Sequence, residues 1–100
     1  TKFIPVEEAT FCIVDIETNG SRIEKHQIIE LSAVKVLDGK IIDRFDTLVQ
    51  CSEINKHISA ITGIYVKDTL NAPKLSDILM KFKLFLGDAI FIAHDVKFDY

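Results

Sequence analysis

Three things are scarce in this chain of 100 residues. No apolar run approaches the roughly 18 residues that a membrane-spanning helix needs. No signal peptide is visible either, so no membrane partner is expected. Cysteines number two, Cys12 and Cys51. That is too few for a disulfide framework, and the spacing matches no zinc site. Free, buried or half-buried thiols are expected, in a reducing, cytoplasmic setting. Positive charge is also short: 12 Lys and Arg stand against 15 Asp and Glu, a net charge of -3. Proteins that grip nucleic acid by phosphate contacts alone are usually basic. Tight metal-free binding is thereby disfavoured. A nucleic-acid substrate is not, because two bound divalent cations would reverse the local sign. Repeats, low-complexity tracts and linkers are absent.

What is present is a core. Hydrophobic residues make up 48% of the chain, enough to exclude a disordered segment, and the length allows one small domain. Thr10–Ile16 reads as a first strand, β-branched and apolar, ended by the turn-rich Thr18-Asn19-Gly20-Ser21. Ile28–Leu37 is a second strand. Asp38-Gly39 is a two-residue hairpin signal, and Lys40–Val49 returns as a third strand. Short helical turns are expected around Thr62-Gly63. Pro73 opens a helix with Ser76 or a near neighbour as cap, an apolar stripe of Leu75, Ile78, Leu79, Phe82 and Leu86, and Gly87 as its stop. Ala89–Ala93 is a short apolar strand, expected to be parallel and buried. His94-Asp95 ends it, and residues 96–100 read as the first turn of a further helix. The order implies an α/β fold: a mixed sheet made of a three-strand antiparallel meander, then a helix and a parallel strand. In such sheets ligands gather beyond the carboxyl ends of the parallel strands.

Two residues at such an end carry the chemistry. Asp15 and Glu17 lie two apart on the first strand, so their carboxylates point to the same face. Paired negative charges beside an apolar core call for a shared proton, a basic partner or a divalent cation, and hard cations prefer carboxylate oxygens. Asp99 follows the last strand by about one helical turn, so its side chain can swing back toward Asp15. Phe98 can pack beneath that turn and hold it. Glu30 is an acid in an apolar strand; it could face the cleft, but a hydrogen-bonded edge carboxylate is the favoured expectation. His26 and His57 are expected on the surface.

Taken together, these segments resemble the DnaQ-like superfamily of 3′→5′ exonucleases (the DEDD class with a histidine, DEDDh). Asp15-Ile16-Glu17-Thr18 with Asn19-Gly20 looks like its first motif, and Ile28-Ile29-Glu30-Leu31-Ser32-Ala33-Val34 like its second strand. Ile61-Thr62-Gly63-Ile64 is similar to its post-sheet helix and Ala72-Pro73 to the entry to the next. Ala93-His94 with Phe98-Asp99 looks like its second motif. The proofreading epsilon subunits of bacterial DNA polymerase III look nearest. Two departures stand out. Asp95 replaces the usual Asn after the motif histidine and is expected to cap the following helix. The third motif, a His with an Asp five residues later, would fall after Tyr100. The chain starts at Thr1 and stops at Tyr100 with a motif under way. Residues 1–100 are therefore expected to be the N-terminal portion of a single exonuclease domain, truncated on its C-terminal side.

The resemblance implies a ribonuclease H-like fold and a two-metal phosphodiesterase with two divalent cations, Mg2+ or Mn2+. Asp15, Glu17 and Asp99 would be the catalytic metal ligands. Thr18, Asn19, Gly20, Ile64, His94 and Phe98 would lie against the substrate, the 3′ end of single-stranded DNA. Proofreading or repair would be the role, possible partners being a replicative DNA polymerase subunit and, for the truncated chain, a second copy of itself. The 100 residues alone are expected to be inactive. An RNA-directed exonuclease of the same superfamily and a non-catalytic nucleic-acid or metal-binding module are the alternatives.

Overall fold

The computed structural model describes residues 6–20 and 27–93. A single 3-10 turn, Val6–Glu8, leads into strand β1, Thr10–Thr18. Strands β2, Ile28–Leu37, and β3, Lys40–Leu48, follow as an antiparallel meander. Two short helices come next, α1 at Lys56–Thr62 and α2 at Val66–Thr69. The longer α3 at Leu75–Leu86 then delivers the chain to β4, Ile90–Ala93. Strand β4 pairs parallel with β1, from Phe11 opposite Ile90 to Val14 opposite Ala93, giving the sheet order β3-β2-β1-β4.

The expected meander, crossover helix and parallel strand are therefore all present. The hairpin closes through Asp38 at φ 50 and Gly39 at φ 72, the doubly left-handed turn that matches the twist of paired strands. Leu37 faces Lys40 directly across it.

One face of the sheet is packed. Cys12, Val14, Leu31, Ala33, Val49 and Ile78 form its buried core, flanked by Phe45, Phe82 and Phe85. Phe45 meets Phe82 edge to face at 5.7 Å between centroids, the arrangement that aromatic quadrupoles favour. Helix α3 supplies Leu75, Ile78, Phe82, Phe85 and Leu86 to this layer, spaced at three to four residues. Gly87 ends the helix, its N–H bonding back to Lys83 O. Both cysteines are buried free thiols, and burial raises the Cys12 thiol pKa against the lowering influence of Lys35.

Three expectations are corrected. Ser76 does not cap α3: Lys74 occupies that position without a side-chain bond, and Ser76 falls in the first turn. Leu79 is 51% exposed, since the buried stripe runs through Ile78, Phe82 and Phe85 and leaves Leu79 on its flank. Strand β4 is parallel but not buried. Ile90, Phe91 and Ile92 are exposed; among the described residues β4 is the last strand on its side of the sheet.

Candidate active site

Alternation along β1 sends Cys12 and Val14 into the packed face and Asp15 and Glu17 to the opposite one. Asp15 is exposed and Glu17 half-buried. The register then extends this acidic face across the sheet. Asp15 stands opposite Ser32, which stands opposite Asp46. Glu17 stands opposite Glu30. Immediately beyond, the pairing slips by one residue, Thr18 opposite Ile28, so a bulge in β2 marks the end of the strand pair. Such bulges bend a strand and re-aim its side chains, and they are frequent next to active sites.

The electrostatics follow from this geometry. Burial raises the Glu17 carboxyl pKa, and the Asp15 charge raises it further. Burial also raises the Glu30 carboxyl, with added repulsion from Glu17, Asp15 and Asp46. Among the described residues none of these acids has a basic partner, and Glu30 has no hydrogen bond. The expected hydrogen-bonded edge carboxylate is therefore corrected: Glu30 faces the same side as Glu17, without a partner.

Past the bulge, one residue ties the loop together. Asn19 is 5% exposed. Its N–H donates to Gln27 O at 2.9 Å, its carbonyl accepts from Asn55 N at 3.3 Å, its side-chain oxygen accepts from Gln27 N at 3.2 Å, and its side-chain nitrogen donates to Glu53 O at 3.3 Å. The carboxamide is thus engaged inside the protein, where it fixes the shape of the loop. Gly20 follows at φ 68, and a side chain there would run into Ile58 of α1. That close approach brings α1 against the end of β1. Asn55 caps α1 by accepting from His57 N at 2.8 Å, and Gly63 closes it in the left-handed conformation.

Of the residues singled out in sequence, Asp15, Glu17, Thr18, Asn19 and Gly20 come together at the end of β1. Ile64 is buried with Ile29 and Cys51, against Leu48, Ile54 and Ile58. His57 is exposed, as expected. His26, His94, Asp95, Phe98 and Asp99 lie outside the described residues. Among the described residues no group of three His, Cys, Asp or Glu side chains gathers to hold a metal. Asp15 and Glu17 are nonetheless a fitting donor pair for a hard divalent cation: two carboxylates on one face, reachable from solvent and unpaired by a basic side chain. Asp46 was missed in sequence, and Glu30 facing the cleft was only the less favoured of two expectations. The signal available was the alternation of Glu30 and Ser32 with buried Ile29, Leu31 and Ala33.

The family model described as Exonuclease, RNase T, matches residues 12–100. The chain belongs to this DnaQ-like exonuclease family. It is 42% identical over 95 residues to the PolC-type DNA polymerase III of Staphylococcus haemolyticus (strain JCSC1435), covering 94% of this chain. It is 41% identical, over the same length and share, to that of Thermotoga petrophila (strain ATCC BAA-488 / DSM 13995 / JCM 10881 / RKU-1). The exonuclease chain spans only 7% of the length of each of these relatives. Its fold is similar to the nuclease domain of 3'hExo, a DEDDh family member bound to rAMP, with a TM-score of 0.71, 20% identity and coverage of 86% of this chain and 50% of that one. It is also similar to E. coli Exonuclease I in complex with an oligonucleotide, with a TM-score of 0.71, 13% identity and coverage of 86% and 20%. The fold is ribonuclease H-like.

Proposed function

We propose that the complete protein is a 3′→5′ exonuclease of DNA that proofreads or repairs 3′ ends, with residues 1–100 forming the N-terminal portion of its exonuclease domain. The observation that carries this reading is the solvent-reachable carboxylate pair Asp15 and Glu17 at the end of β1, in a chain of the exonuclease family. Two divalent cations, Mg2+ or Mn2+, would supply the activated water and the stabilisation of the leaving 3′ oxygen. Asp15 and Glu17 would hold these cations, with Asp99 completing the set. Gly20 lets the backbone approach a terminal nucleotide closely, and the Asn19 bonds fix the loop that carries it. His94 and Phe98 would complete the substrate contacts. DNA is favoured over RNA because relatives matched over 94% of this chain are DNA polymerases. A replicative polymerase subunit or module is the corresponding partner, and a reducing cytoplasm the corresponding setting.

The test is the complete protein on 5′-labelled single-stranded DNA and a matched RNA. The expected result is a ladder of progressively shorter DNA products in Mg2+, none in EDTA, and slower RNA hydrolysis. Release of internal cuts without a ladder, or digestion in EDTA, would overturn the reading.

A further inference from the structure

Glu30 is an unexplained acid. It stands directly opposite Glu17 on neighbouring antiparallel strands, where opposed side chains are about 5 Å apart at Cβ and like charges destabilise the pair. The charges of Glu17, Asp15 and Asp46 all bear on it. A buried acid that serves only the fold is normally held by a hydrogen bond or a cation. Glu30 has neither among the described residues, and it is half-buried, so water does not fully screen it. The apolar positions on the same face, Ile13 and Val34, show that this strand pair tolerates uncharged residues there.

We propose that Glu30 is a positioning residue of the cation site, an acid from β2 whose carboxylate accepts hydrogen bonds from the water shell of the cation on Glu17. This rests on the two-cation reading above. The unfavourable Glu17–Glu30 juxtaposition is then a feature of the metal-free protein alone, and the cation converts it into an attraction. Groups outside the direct ligands commonly set metal affinity by about ten to a hundredfold. Ser32 beside it, opposite Asp15, offers a hydroxyl to the same shell.

The experiment is Mn2+ titration by calorimetry on the complete protein, with melting in EDTA alongside. Glu30→Gln keeps the shape and removes the charge. It is expected to weaken Mn2+ binding by about tenfold, while the melting temperature in EDTA stays level or rises as repulsion is relieved. Asp46→Asn, one strand further out opposite Ser32, is expected to cost clearly less. Unchanged Mn2+ affinity in Glu30→Gln would overturn the proposal while leaving the site reading intact. So would equal losses in the two variants, which would mark a general charge effect. A lowered melting temperature of Glu30→Gln in EDTA would assign Glu30 to the fold instead. Absence of Mn2+ binding by the unaltered protein would overturn both readings.

Discussion

Glu17 shows how one residue can be costly in one state and useful in another. Its carboxyl pKa is raised, first by burial and then by Asp15. A carboxylate whose folded pKa lies above its unfolded value binds protons more readily when folded. The metal-free protein therefore loses stability from this group as pH rises through the raised folded pKa, and recovers it as pH falls below the unfolded value. Glu17→Gln is expected to melt higher than the unaltered protein at pH 7 in EDTA. The difference should shrink steadily as the buffer is taken down through the carboxylate range. A difference that does not change with pH would contradict the assignment. The same residue was legible in sequence, because an acid two places from another in a strand must share its face. Glu30 was not. Its position opposite Glu17 depends on the pairing register of β1 with β2, which a single strand does not contain.

At the scale of elements, the loop after β1 is held by packing and hydrogen bonds together. Gly20 combines a left-handed backbone with contact against Ile58. Gly20→Ala should therefore cost about 1–3 kcal/mol, from overpacking and from the strained φ. Chemical denaturation would measure it, and a loss near zero would mean that α1 moves away freely. Strands and the hairpin were readable because alternation and the Asp38-Gly39 turn are local properties. The end of helix α3 was readable, at Gly87, whereas its start falls at Leu75 rather than at Pro73 with Ser76 as cap. Its face was read less well, since the stripe admits two flanks and only the aromatic layer of Phe45, Phe82 and Phe85 selects between them. The exposure of β4 was readable only as a consequence of truncation, against the expectation of a buried strand. An apolar run identifies a strand, but its neighbours in the sheet decide what covers it.

For the whole molecule, the sheet order explains why the site forms where it does. Placing β1 between antiparallel β2 and parallel β4 puts its carboxyl end beside the carboxyl end of β4, where α/β sheets bind ligands. The Ala93 end of β4 reaches Val14, one residue short of Asp15. The sequence then runs into His94 and, five residues later, Asp99. The most direct test of the central claim, that this end of β1 holds the catalytic cations, is the DNA-degrading rate of the complete protein carrying Asp15→Asn in Mg2+. The account predicts a fall greater than about a hundredfold, more than changes outside the ligand set usually cause, with far-UV circular dichroism unchanged and melting in EDTA level or raised. Degradation by this variant at the unaltered protein's rate would contradict it.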